Sequence, residues 1–166
     1  MNLLLWGCET WSMRQALANK LEVFLHRNIR HILCVSITNV RENHIKNEHV
    51  RRMFYDIPRV SNMIAARQLD FIGKTIRGPL DRPAQQLITA CCDHTRQVGR
   101  PFLHNKDFVV KNLRLLFANV PEVTIDEYGS LKHWIKEALH EQYWNLLVTC
   151  LIDRHAVTPP RPDEWP

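Results

Sequence analysis

Apolar residues recur at helical spacing along most of this 166-residue chain. The longest run keeps one apolar face over residues 17–33, and Ser12 stands ahead of it as the expected N-cap. A second run covers residues 60–76. Pro58 fits its first turn, where the missing N–H costs little, and Gly78-Pro79 ends it. The pattern therefore predicts two long helices in the first half of the chain.

The other helical patterns are shorter or lie later in the chain. They predict helices over residues 48–55, 109–117 and 131–151, and they allow a short helix over 84–92 within the irregular segment 79–105. Thr38, Asn39 and Asn43 indicate a polar connector, and Leu3–Trp6 is a short extended segment with no partner strand. The predicted fold is all-α, about five helices in an irregular orthogonal bundle, with an N-terminal extended segment and a mobile, proline-rich tail over 158–166.

The composition is typical of a globular protein, and the basic and acidic residues are distributed unevenly along the chain. Hydrophobic residues make up 45% and charged residues 23%, and five glycines are too few for a turn-rich β-sandwich. Residues 1–116 hold 18 basic and 9 acidic side chains, whereas residues 117–166 hold 4 and 8. We therefore predict a basic helical region over 1–118, an acidic C-terminal helix over 119–157 packed on it, and the tail.

Cysteine and hydropathy patterns bear on the compartment. The five cysteines are odd in number and irregularly spaced, which favours a reducing environment over a disulfide framework. The apolar run at the N-terminus is too short for a secretory signal, and no run of about 18 apolar residues occurs. We expect an intracellular protein, cytoplasmic or nuclear and not secreted, with no membrane partner.

Catalytic chemistry has no anchor in the sequence. There is no Asp-Asp pair for two-metal catalysis and no Gly-x-Ser-x-Gly nucleophile motif, so we expect neither an enzyme nor a cofactor. The one local Cys/His concentration is a weak zinc candidate, because neighbouring cysteines seldom ligate one ion and a cysteine-containing loop explains it equally well. Its members are Cys91, Cys92, His94 and His104. The pairs His26/His31 and His44/His49, each five residues apart, are expected to be solvated or stacked on neighbours.

Basic side chains on successive helices are the remaining candidate site. Lys and Arg projected from helices neutralise phosphates and release counterions, although the same residues are also common on solvated faces. The candidate contacts are Lys20, Arg27 and Arg30 on the first helix, Arg67, Lys74 and Arg77 on the second long helix, and Arg100 within Gly99-Arg100-Pro101. RNA or DNA backbone is the predicted partner.

Several motifs occur in an order that resembles a known protein family. Residues 3–11, LLLWGCETW, resemble the LLYGCETW segment that follows the polymerase core of non-LTR (LINE-type) retrotransposon reverse transcriptases. Residues 24–33 resemble the family's F..R.LR.IL stretch, residues 47–50 its N.EV helix, and residues 67–74, RQLDFIGK, its RRLRWLGH stretch. Gly99-Arg100-Pro101 resembles its GRP element. The similarity covers about residues 3–117 and is most specific at GCETW.

The resemblance implies a C-terminal helical region that lies downstream of the polymerase palm. Such a region would grip template RNA or target DNA beside the polymerase and would not perform the chemistry, since the catalytic Asp pair belongs to the palm. Two departures stand out: Lys74 replaces the family's His, and Phe102 follows the GRP element where basic residues are usual. The chain is expected to be encoded alone or left by a truncated element. The alternatives are a helical scaffold that docks on a palm from another chain, and a degenerate remnant without independent activity.

Overall fold

Helices account for nearly all of the chain that the structure describes. The computed structural model describes residues 4–93, 105–117 and 131–153, and within these ranges it contains eight α-helices, one 3-10 helix and no strand. The 3-10 helix spans Cys8–Thr10; the α-helices are α1 (Gln15–Ile32), α2 (Ile37–Glu42), α3 (Asn47–Met53), α4 (Val60–Ile76), α5 (Pro83–Asp93), α6 (Asn105–Leu116), α7 (Leu131–Leu139) and α8 (Glu141–Ile152). The all-α prediction is confirmed.

The chain divides into two compact units. One unit is Met13–Met63, called here the α1–α3 unit, and the other combines Met1–Ser12 with Ile64–Pro166, called the α4–α8 unit. Helix α4 begins in the first unit and continues in the second. The domain boundaries predicted at 118 and 157 fall outside the described residues, as does the predicted tail.

The α1–α3 unit is built on the contact between α1 and α3. Leu25 and Ile29 of α1 and Val50 of α3 are buried. Helix α1 ends in a Schellman motif, in which Cys34 takes a left-handed φ of 55° and the N–H of Val35 donates to the Arg30 carbonyl at 2.9 Å. This turn ends α1 without the glycine that usually occupies such a position.

The core of the α4–α8 unit is a cluster of buried apolar side chains from α4, α6, α7 and α8. Leu69 of α4, Leu113 of α6, Trp134 of α7 and Trp144 of α8 are fully buried members of it. The two indole rings lie with centroids 6.2 Å apart, and Phe117 packs edge-on to Trp144 at 6.5 Å. Three large aromatic rings thus contribute much of the buried apolar area.

The prediction of a single C-terminal helix over 131–151 is wrong in one respect, because the structure has two helices in this segment. α7 ends at Leu139 and α8 begins at Glu141, with His140 between them at ψ 89°. In one straight helix, residues 134 and 144 would be about 15 Å apart along the axis. The break at His140 lets Trp134 and Trp144 pack together, so tertiary burial outweighs helix continuity.

Other helix limits also differ from the sequence predictions. α1 begins at Gln15, so Ser12 is not its N-cap, and Pro58 precedes the first residue of α4. Most of the expected connector at 38–43 belongs to the helix α2. Ser36 caps the N-terminus of α2, because its hydroxyl oxygen accepts a hydrogen bond from the N–H of Asn39 at 3.1 Å. Residues 4–7 form a turn ahead of the 3-10 helix and are not extended. These short elements raise the count above the five helices expected.

Candidate nucleic-acid interface

Helix α1 carries a strip of basic side chains that faces solvent. Lys20, Arg27 and His31 are separated by seven and four residues, which aligns them on one side of a helix with 3.6 residues per turn. All three are exposed, and we call them the α1 basic strip. Within the described ranges, neither Lys20 nor Arg27 forms an ion pair. Arg30, turned toward the buried side of α1, is half-buried.

The α1–α3 unit holds the whole formal charge of the chain. It contains nine Lys or Arg and four Asp or Glu side chains, a net charge of +5, and the rest of the chain contains thirteen of each. Four of the nine histidines also belong to this unit. Of the basic excess over residues 1–116, this unit carries +5 and residues 64–116 carry another +5, which Glu9 and the acidic residues after 116 offset within the α4–α8 unit.

A network of buried polar groups fixes α1 within its unit. The Glu22 carboxylate accepts from Arg51 Nη2 at 3.0 Å and from the N–H of Val60, the first residue of α4, at 2.7 Å. His26 is 3% exposed, and its Nδ1 donates to the Glu22 carbonyl at 2.7 Å. Burial lowers the pKa of His26, because the imidazolium would lose its hydration. Of the two expectations for His26, solvated or stacked on neighbours, the solvated one is wrong, because the side chain is buried. The network ties α1 to α3 and to the start of α4.

The predicted contacts on α4 have structural partners in the α4–α8 unit. Arg67 Nη1 donates to the Leu5 carbonyl at 3.1 Å, and Arg77 Nη1 donates to the Ala138 carbonyl at 2.8 Å. Both arginines are half-buried, and each joins segments about 60 residues apart in sequence. Their guanidinium groups therefore stabilise the fold, whereas Lys20 and Arg27 face solvent.

Lys74 and Arg100 complete the predicted set. Lys74 Nζ lies 2.7 Å from Asp70 Oδ2, one turn earlier on α4, and the two side chains are 66% and 41% exposed. An exposed pair of this kind contributes little stability, about 0.3–0.5 kcal/mol, but it neutralises the lysine locally. Arg100 lies outside the described residues.

The weak zinc candidate also lies outside what the structure describes. His94 and His104 are not among the described residues, and the described part of α5 excludes the side chains of Cys91 and Cys92. Across the described side chains, no group of three or more His, Cys, Asp or Glu is placed to hold a metal ion. No described helix is long and apolar enough to cross a membrane.

A second basic feature of the α1–α3 unit was not anticipated from the sequence. A depression of about 300 Å³ is lined by His44, Lys46, His49 and Arg52, together with Asn43, Ile45 and Glu48. His44 takes a left-handed φ of 48°, a conformation that the sequence pattern does not indicate for a histidine. His44 and His49 are five residues apart, a spacing that does not align them well on one helix face, but both line this depression.

Comparison with protein-family models, curated proteins and solved structures finds no match to this chain.

Proposed function

We propose that the protein contacts the phosphate backbone of RNA or DNA through the α1 basic strip and performs no chemistry itself. The observation that carries the proposal is the location of the entire +5 charge in the α1–α3 unit, while the rest of the chain is balanced. Because Lys20 and Arg27 are exposed and seven residues apart, they present two cationic groups about 10 Å apart along α1. Such groups bind phosphates without reading sequence.

The salt dependence of binding tests this proposal. Each phosphate contact contributes about 0.9 to the slope of log affinity against log salt for duplex DNA, and about 0.7 for single strands. We therefore expect the full chain to bind both with a marked salt slope. The double variant Lys20→Gln/Arg27→Gln should bind more weakly, with a slope shallower by about 1.4–1.8.

Lys111→Gln/Lys136→Gln is the matched control, because it removes two exposed lysines from the α4–α8 unit. It lowers the net charge of the chain by the same amount and should leave the salt slope nearly unchanged. Equal losses in the two double variants would show that only overall charge matters. Affinity without a salt slope would refute the proposal outright.

The resemblance to LINE-type reverse transcriptases supports a specific setting for this activity. In that setting the chain is an accessory region beside a polymerase palm, and the palm supplies the catalytic Asp pair. As part of this setting, we also propose that the helices form an irregular orthogonal bundle and that the protein is intracellular. A reverse-transcriptase palm encoded directly upstream of the gene, in frame or frameshifted, would support this setting.

Exposed apolar side chains on α1 favour a second candidate, a scaffold that docks on another protein such as a polymerase palm. Leu17, Phe24 and Ile32 are each about half exposed or more and lie beside the α1 basic strip, although their spacing predicted an inward face. Replacing Leu17 and Phe24 by Ser separates the two candidates. Loss of association with a co-expressed palm, with nucleic-acid affinity retained, would favour docking.

A further inference from the structure

The turn between α2 and α3 places two cationic side chains and two histidines around one depression of the α1–α3 unit. Helix α2 ends in a Schellman motif, in which the N–H of Ile45 donates to the Val40 carbonyl at 3.1 Å. His44 occupies the left-handed position of this motif, and Lys46 immediately precedes the first residue of α3. The reversal of the chain therefore brings side chains from both sides of the turn to one depression.

The lining of this depression is rich in hydrogen-bond donors. Lys46 contributes an ammonium group and Arg52 a guanidinium fork, neither of which can accept a hydrogen bond. His44 and His49 add two imidazoles, and each neutral imidazole still offers one N–H. Against these groups stands a single carboxylate, Glu48, so the lining has a formal charge of +1 before either imidazole is protonated.

We propose that this depression binds a phosphate group. A phosphate offers several acceptor oxygens and negative charge to a surface whose side chains mostly donate, and charge-assisted bonds of this kind are the strongest available to it. Its volume of about 300 Å³ lies at the lower end of the range for small-ligand sites, enough for a phosphate with the group it esterifies. The site goes beyond the proposed function, because none of its residues belongs to the α1 basic strip.

The phosphate has two chemical sources, a small phosphomonoester or the phosphodiester backbone of a nucleic-acid strand. Both present the same oxygens to the depression, and they differ in charge and in what is attached. Glu48 gives the proposal a distinguishing feature, because its carboxylate repels either form. Removing that charge should strengthen binding, whereas removing a cation should weaken it.

The test uses the full chain and follows the imidazole proton signals of His44 and His49 by NMR. Inorganic phosphate is titrated against sodium chloride at equal ionic strength, which screens surface charge to the same extent. We expect saturable shifts of both histidine signals with phosphate alone. Lys46→Gln/Arg52→Gln should weaken binding by about tenfold or more, and Glu48→Gln should strengthen it several-fold. Lys111→Gln/Lys136→Gln is the matched control and should leave the affinity unchanged.

Oligothymidylate with and without a 5′-phosphate distinguishes the two sources. If the strand lacking the 5′-phosphate shifts the same histidine signals, the ligand is the phosphodiester backbone. If inorganic phosphate or the terminal phosphate is required, the ligand is a phosphomonoester. Absence of a saturable shift with all three probes overturns the proposal. Weaker binding by Glu48→Gln also overturns it, because a structural disturbance then explains both variants.

Discussion

Gly73 of α4 is the position where one added methyl group should disturb the core most directly. A Cβ at this position would lie 2.7 Å from Cδ1 of Trp144 and closer still to Nε1. Ordinary carbon contacts are about 3.5–4.0 Å, so the indole would have to move by roughly 1 Å. Trp144 is fully buried and contacts the rings of Phe117 and Trp134, so moving its indole disturbs both contacts.

The cost of Gly73→Ala follows from three contributions. Overpacking a well-filled core costs about 1–3 kcal/mol. Moving the indole breaks the hydrogen bond from Trp144 Nε1 to the Leu69 carbonyl, 3.0 Å long, and a buried donor left unpaired costs about 1–3 kcal/mol. Alanine regains about 1 kcal/mol through its higher helix propensity. We expect a net loss of about 3 kcal/mol in the free energy of unfolding.

Urea unfolding followed by far-ultraviolet circular dichroism measures this loss, and a double-mutant cycle identifies its cause. In a Trp144→Leu background the rigid indole is gone, so Gly73→Ala should be neutral or stabilising by up to about 1 kcal/mol. A stabilising effect of Gly73→Ala in the wild-type chain would refute the reasoning. The same destabilisation in both backgrounds would refute it too.

Three further outcomes concern buried polar groups. Because the pKa of His26 is lowered in the folded state, the unfolded chain binds that proton more tightly. Stability should therefore fall as the pH drops below about 6.5, and His26→Gln should reduce this fall in urea titrations at pH 7.5 and 5.5. Glu22→Ala leaves the buried Arg51 without its carboxylate and should cost about 3–5 kcal/mol, whereas Glu22→Gln, which still accepts hydrogen bonds, should cost less; thermal unfolding compares them. Gln68→Leu leaves Asn112 unpaired and should cost about 1–3 kcal/mol, with the double variant Gln68→Leu/Asn112→Leu losing less than the sum of the single losses.

Helical periodicity predicted the fold class and most helix positions well. The runs at 17–33 and 60–76 closely match α1 and α4, because an apolar face every 3.6 residues must be buried somewhere. The break at His140 was missed, since neither proline nor glycine marks it and its cause is the packing of Trp134 on Trp144. Periodicity also placed Phe24 on an inward face, although it is 53% exposed, because the buried stripe of α1 is narrower than its apolar stripe.

The candidate site could be predicted only where exposure follows from helical spacing. Lys20 and Arg27 are exposed as expected, because they lie opposite the buried stripe of α1. Arg67 and Arg77 differ, because their partners are backbone carbonyls about 60 residues away in sequence. The α2–α3 depression depends on the left-handed backbone of His44, which residue type alone does not specify.

Two of the sequence motifs, LLLWGCETW and RQLDFIGK, contact each other in the structure. Gln68 Nε2 donates to the carbonyls of Cys8 and Trp11 at 3.0 and 2.8 Å, and Arg67 donates to that of Leu5. LLLWGCETW and RQLDFIGK therefore depend on each other for packing, and a chain that keeps this contact would keep both motifs whether or not it binds nucleic acid.

The motif pair thus bears on the fold of the α4–α8 unit, while the binding proposal depends on the charge of the α1–α3 unit. The two roles should separate experimentally. Gln68→Leu should lower stability without changing the salt slope of nucleic-acid binding, since it leaves every exposed cation in place. Lys20→Gln/Arg27→Gln should change the slope with little effect on stability, since both side chains are exposed. A variant of the motif contact that remains folded but loses the salt slope would show that the α4–α8 unit carries the binding surface instead.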